Sequence, residues 1–118
     1  KLIIINKTYN PYSYMKKSKL LILTSIYEGF PNVLVESLTI GTPVISTNMN
    51  AGASEILLNG KGGDLIDIGN YKLLSKKIGA FLKSPKKLKN KTILARSKLH
   101  RFSAITHSQI YSKVFKEI

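Results

Sequence analysis

Residues 26–47 read IYEGFPNVLVESLTIGTPVIST, and the fold is decided there. Immediately before this stretch, Leu20-Leu21-Ile22-Leu23-Thr24 is a short apolar run bounded by polar residues, the pattern of a buried strand. The chain then turns through Glu28-Gly29-Phe30-Pro31. Gly29 tolerates backbone angles that a Cβ forbids, and Pro31 suits the first position of a helix, where a missing N–H costs nothing. The spacing predicts a helix from Asn32 to Ile40 that stops at Gly41, a favoured C-terminal residue. Pro43 blocks continuation, and Val44-Ile45-Ser46-Thr47 reads as the next buried strand. Together these residues make one strand–loop–helix–strand unit.

The chemistry of the unit follows from that arrangement. The first turn of the helix presents unpaired N–H groups around Asn32 to Leu34, and the positive end of a helix dipole. Phosphates bind readily at such an end. Two carboxylates flank it: Glu28 in the loop, and Glu36 with seven residues between them. Glu36 shares a helix face with Asn32 and Val33, whereas Leu34 and Leu38 lie on a roughly opposite face and are core candidates. A carboxylate beside a phosphate site does not attract the phosphate. It is suited to accept hydrogen bonds from hydroxyls, as on a ribose or a sugar ring.

Glu28-Gly-Phe-Pro-Asn-Val-Leu-Val-Glu36, followed by Gly41-Thr-Pro-Val-Ile-Ser-Thr47, resembles the E-x7-E signature of the retaining GT-B glycosyltransferases of group 1, a family 4-like set. A bare E-x7-E is a weak signal, but the full stretch is specific. The resemblance runs in order from Asn10-Pro-Tyr-Ser-Tyr-Met15 through Glu55-Ile-Leu and Gly60-Lys-Gly-Gly63 to Asp67-Ile-Gly-Asn70, roughly the first 70 residues. It implies that Glu28 contacts and orients the transferred sugar. Gly29, Phe30, Pro31, Asn32 and Val33 would hold sugar and diphosphate, and Glu36 would bind the ribose hydroxyls. The implied substrate is a UDP- or GDP-linked sugar, with no metal cofactor and no side chain acting as nucleophile or base. The pattern departs from the family at Asn6, where a glycine is usual, and at Gly52-Ala53, where Gly-Pro is usual. The basic residues that the family uses on the diphosphate match no lysine here.

The implied fold class is α/β, a Rossmann-like parallel sheet with helices on both faces and a helical C-terminal tail. On that reading residues 1–118 form a single domain, the later part of a C-terminal nucleotide-sugar-binding domain. The N-terminal acceptor domain is absent, and the piece alone is expected to be inactive. The opening KLIIIN, without Met or a signal-peptide pattern, fits that expectation. The implied activity is sugar transfer to a glycan or lipid-linked acceptor in cell-surface polysaccharide or lipopolysaccharide synthesis. The expected location is cytoplasmic, peripheral at the inner face of the membrane.

Composition bounds these expectations. A hydrophobic content of 43% excludes disorder of the whole chain. With no cysteine there is no disulfide framework, thiolate nucleophile or cysteine-bound metal. No apolar run approaches the length of a membrane span. The net charge of +13 points towards an anionic partner. However, 17 of the 19 basic residues are lysines spread along the chain, and only Arg96 and Arg101 offer the bidentate fork that reads bases. Nucleic acid is therefore not expected, and weak association with an acidic leaflet fits better. Two other classes compete with the transferase reading. One is a non-catalytic basic module binding nucleic acid or an anionic surface; the other is a GT-B-like sugar-nucleotide epimerase, whose acids and histidines are not recognisable here.

The remaining elements are read by the same signals. Leu2-Ile3-Ile4-Ile5 predicts a first strand over Lys1 to Asn6, and Asn10-Pro11 opens a short helix through Lys17. Tyr9, Tyr12 and Tyr14 are taken as packing residues. Ala53 to Leu58 predicts a short helix bearing Glu55, Gly60 to Gly63 a turn that is not a Walker loop, and Leu65-Ile66 a short strand. Asn70 caps a helix from Tyr71 to Leu82. Ser84-Pro85 separates it from a lysine-rich helix reaching His100, and Ser103 caps a last helix to Glu117. His100 and His107 lack motif partners and are read as structural.

Overall fold

In the computed structural model, residues 1–49 and 51–116 are described. Three strands, β1 (Leu21–Leu23), β2 (Val44–Thr47) and β3 (Asp64–Ile66), form one parallel sheet in the order β1-β2-β3. Leu21 pairs with Val44, and Ile45 with Asp64. Helices α1 (Pro11–Lys17), α2 (Asn32–Ile40), α3 (Ala51–Ile56), α4 (Tyr71–Lys83), α5 (Lys86–Ser97) and α6 (Ala104–Lys116) complete the fold, with a 3-10 turn at Leu99–Phe102 between α5 and α6.

The central strand β2 is buried along its whole length and feeds two cores. Adjacent strand residues point to opposite faces. Val44 therefore packs with Leu34 and Leu38 of α2, Ala53 and Ile56 of α3 and Ala95 of α5. Ile45 packs with Ile66, Phe81 of α4 and Leu88 of α5. Helices thus cover both faces, the Rossmann-like arrangement expected. Leu34 and Leu38 are fully buried, as their helix face predicts.

Local signals set the helix ends. Gly41 adopts φ +91°, the left-handed conformation that closes α2, and its N–H reaches the carbonyls of Ser37 and Leu38. The Asn70 side chain accepts from the Leu73 N–H at 3.0 Å, capping α4 as expected. Ser103 Oγ accepts from the Thr106 N–H at 3.2 Å at the start of α6. The lysine-rich helix ends earlier than its composition suggests, at Ser97, before the 3-10 turn. The expected helix at Ala53–Leu58 is shifted towards the N-terminus, because Leu58 and Asn59 take positive φ and begin the glycine turn. In that turn Gly63 lies against Val44 and Leu57 so closely that an added Cβ falls 2.8 Å from each side chain. The last two residues of the predicted final helix, Glu117 and Ile118, lie outside the described residues.

Two expectations are corrected. Lys1–Asn6 forms no strand: Leu2, Ile3 and Ile4 are 85%, 70% and 77% exposed, and no described strand pairs with them. A strand exists through its ladder partner, which β-propensity cannot supply. Tyr9, Tyr12 and Tyr14 are exposed rather than packed, because Met15 is the residue of α1 that turns inward.

At the amino end of β3, Asp64 joins Lys91 and Lys77, the latter at 3.2 Å, while Lys91 Nζ also donates to the Gly60 carbonyl at 2.7 Å. Burial pushes the Asp64 carboxyl up, but hydrogen bonds from Lys91 and Lys77, with their charges, outweigh it and hold the carboxyl below its ordinary value of 3.8. A carboxyl depressed in the folded state contributes stability above its unfolded value, and this is lost as pH falls through the lower folded value. Asp64→Asn is therefore expected to cost about 1.5–3 kcal/mol at neutral pH, nearer the lower figure because Lys77 is partly exposed. The deficit should shrink below about pH 4, as wild-type Asp64 protonates. Denaturant titrations of both proteins between pH 7 and pH 2.5 measure this. A deficit independent of pH means that the ion cluster is not its source.

Candidate functional site

In parallel α/β sheets, ligands bind beyond the carboxyl ends of the strands. The loop between β1 and α2 leaves the sheet at that end and carries Glu28 to Pro31. Its beginning is fastened to β2: Thr47 Oγ1 donates to the Ser25 carbonyl at 2.6 Å. Ser25 Oγ in turn donates to Glu28 Oε1 at 2.6 Å. The half-buried Glu28 carboxylate is thereby oriented from the sheet rather than left to swing in solvent.

Pro31 is fully buried and stands at the N-cap position, one residue before the place expected for it. Its carbonyl accepts from the Leu34 N–H at 2.9 Å, and the Asn32 N–H reaches the Phe30 carbonyl at 2.9 Å, so the Asn32 and Leu34 N–H groups, expected to be unpaired, are engaged within the turn itself. Proline has no side-chain acceptor, so no side chain caps α2. The N-terminal dipole of a nine-residue helix consequently keeps its pull on an incoming anion. Asn32 is exposed and Val33 half-buried at this turn. Gly29 does not need an unusual backbone angle, contrary to expectation. Instead, an added Cβ there meets nothing within 4 Å, so glycine leaves the loop mouth open.

One turn further along α2, Glu36 is half-buried, and Tyr12 Oη donates to its Oε1 at 3.4 Å. Tyr12 comes from α1, whose start is set by Pro11 and by Asn10 Oδ1 accepting from the Ser13 N–H at 3.3 Å. Thr42 Oγ1 donates to the Met15 carbonyl at 2.8 Å and ties α1 to the segment that follows α2. The second oxygen of Glu36 remains able to accept from further hydroxyls. The structure therefore brings Glu28, the opening turn of α2 and Glu36 onto one strand–loop–helix unit.

Sequence reasoning missed Tyr12, Ser25, Thr47 and Phe102 at this site. Phe102 meets Phe30 edge-to-face, with ring centroids 5.5 Å apart and an interplanar angle of 60°. The Asn10-Pro11 helix start was a usable signal for Tyr12, since it fixes the helix that carries the ring. Nothing in the sequence signals the Phe30–Phe102 contact. Glu55 is exposed on α3, and its backbone carbonyl rather than its carboxylate takes part in tertiary bonding, accepting from Arg101 Nη2 at 2.7 Å. Among the described residues no three His, Asp or Glu side chains gather to hold a metal, and no helix is long and apolar enough to cross a membrane.

The parallel three-stranded sheet with helices on both faces is a Rossmann-like unit of the GT-B glycosyltransferase architecture. The chain belongs to the glycosyl transferases of group 1: residues 1–98 match that family. It is 36% identical over 70 residues to N-acetylgalactosamine-N,N'-diacetylbacillosaminyl-diphospho-undecaprenol 4-alpha-N-acetylgalactosaminyltransferase of Campylobacter jejuni, covering 59% of this chain and 19% of that protein. It is 30% identical over 76 residues to the capsular polysaccharide biosynthesis glycosyltransferase CapM of Staphylococcus aureus, covering 64% of this chain and 20% of CapM. The chain thus spans about a fifth of the length of these relatives. Its fold is similar to that of Anabaena Alr3699/HepE, solved in complex with UDP-glucose: TM-score 0.78, 25% identity, 89% of this chain and 29% of that one. The same protein has also been solved with UDP.

Proposed function

We propose that this chain is the donor-binding part of a retaining glycosyltransferase that transfers a sugar from a nucleoside diphosphate. One observation carries the reading: Glu28 and Glu36 flank the uncapped start of α2 at the carboxyl edge of the sheet. That arrangement supplies what such a donor needs. The positive end of the α2 dipole meets the diphosphate, and two held carboxylates accept from the hydroxyls on either side of it. Glu28, Gly29 and Phe30 form the sugar subsite; Asn32 and Val33, at the turn that the buried Pro31 begins, face the diphosphate; Glu36 takes the ribose hydroxyls.

In the reaction, negative charge grows on the departing diphosphate as the glycosidic bond to it breaks. A fixed helix dipole with its positive end at that charge stabilises the transition state more than the ground state. Uridine is the proposed nucleoside, because the similar solved protein holds UDP-glucose. The proposed setting is polysaccharide or lipopolysaccharide synthesis at the inner face of the membrane, with a facing domain that brings the acceptor and excludes water. The lysine-rich surface would favour an acidic leaflet there.

Thermal unfolding of the full-length protein against a panel of nucleotide sugars tests this reading. A ligand at a hundred times its Kd stabilises the folded state by about 2.7 kcal/mol, enough to raise Tm by several degrees. We expect such a shift with one UDP-sugar and a smaller one with GDP-sugars. A protein that no nucleotide sugar stabilises is not a donor-binding transferase.

A further inference from the structure

We propose that Phe102 is a positioning residue of the sugar subsite, acting through Phe30; this rests on the donor-site reading above. The 3-10 turn that carries Phe102 lies beyond residue 98, outside the family match, yet it returns to the loop between the two glutamates. It is anchored at both ends. Arg101 Nη2 donates to the Glu55 and Ile56 carbonyls at 2.7 and 3.3 Å, closing the carboxyl end of α3. The negative pole of that helix favours the guanidinium there. On the other side, Thr106 Oγ1 donates to the His100 carbonyl at 2.8 Å, and the Ser103 N–H reaches the same oxygen at 3.0 Å.

Between these anchors the Arg101 guanidinium lies 4.6 Å from the Phe102 ring centre, a cation–π distance. Phe102 and Leu99 also pack on the α2–α3 side of the core. The ring of Phe102 is therefore held from the protein side and meets Phe30 edge-to-face. Phe30 remains 40% exposed, so one part of its ring is fixed and another faces the loop mouth. Glu28 is two residues away on the same short loop. A carboxylate that must meet a sugar hydroxyl has to be held to within about half an ångström, and a ring fixed from outside the loop limits its travel.

Hydrogen exchange on the full-length protein, combined with binding of UDP and UDP-glucose as probes, tests the proposal. Phe102→Leu keeps an apolar side chain against the core and removes the ring edge. It should speed exchange at the Gly29 and Phe30 amides by about two- to tenfold, the range an aromatic pair supports, while the α4 amides stay unchanged. UDP-glucose should weaken by a similar factor and UDP by less than twofold. Phe102→Tyr should restore both. Unchanged exchange at residues 29–30 overturns the proposal, as does equal weakening of UDP and UDP-glucose, which is the result of a merely structural role. Glu28→Gln in the same assays separates the two ideas. If it leaves UDP-glucose binding and turnover intact, the sugar-subsite reading fails and this proposal fails with it. If Glu28→Gln acts and Phe102→Leu does not, only the role of Phe102 is lost.

Discussion

Glu36→Ala is expected to weaken binding of UDP to the intact protein by about ten- to a hundredfold, while scarcely changing binding of its 2′,3′-dideoxy analogue. The magnitude comes from one charge-assisted hydrogen bond, roughly 1.5–3 kcal/mol. An ionised carboxylate can accept from neighbouring ribose hydroxyls with both oxygens. Here Oε1 is already approached by the Tyr12 hydroxyl, at a distance long enough to yield to a better donor. The dideoxy analogue makes the test selective, because it keeps base and phosphates and loses only the groups that Glu36 would receive. Isothermal titration with both nucleotides reads the ratio directly. Equal weakening of the two, with the fold intact by circular dichroism, removes Glu36 from the ribose.

Glu28→Gln, on the proposed sugar side of the diphosphate, is expected to show in turnover. Its carboxylate is held by Ser25 Oγ at 2.6 Å, and Ser25 by Thr47, so the substitution removes charge from a fixed position rather than moving a loop. The glutamine amide keeps one acceptor oxygen for Ser25 but replaces the other carboxylate oxygen with a donor and removes the charge. Loss of a charge-assisted contact that tightens as the sugar departs should lower kcat by about ten- to a hundredfold. Binding of free UDP should stay within twofold of wild type, because UDP lacks the transferred sugar that Glu28 is proposed to touch. Steady-state rates with the full-length enzyme, set beside UDP titrations, separate the two quantities. A drop in UDP affinity as large as the drop in kcat places Glu28 on the diphosphate side instead.

What the sequence discloses here is what chemistry fixes locally. Pro31, Gly41 and Pro43 punctuate α2 because each acts through its own backbone, and the helix occupies the residues they delimit. Asn70 and Ser103 cap helices by reaching only three residues ahead. The positions of Glu28 and Glu36, the carboxylates of the proposed site, were legible for the same reason: both lie on the unit that those signals define. Contacts made across the fold were not. Tyr12 and Glu36 stand 24 residues apart, and no periodicity says that α1 lies beside α2. Phe102 reaches Phe30 only after α3, α4 and α5 are in place. The failure at Leu2–Ile5 has the same origin, since a β-prone run becomes a strand only where another strand offers its edge.

The parallel sheet has a bearing on how the chain reaches its native state. Leu21 finds Val44, and Ile45 finds Asp64, only after the whole intervening crossover has closed. No tight hairpin can start this sheet. The search for partners must therefore wait on loop closure, and such topologies fold more slowly than bundles of adjacent helices. During that interval the edges of β1 and β3, which pair with no further strand among the described residues, are open templates for another copy of the chain. A surplus of 13 positive charges acts at the same moment, because like-charged chains repel before any of them has a surface to recognise.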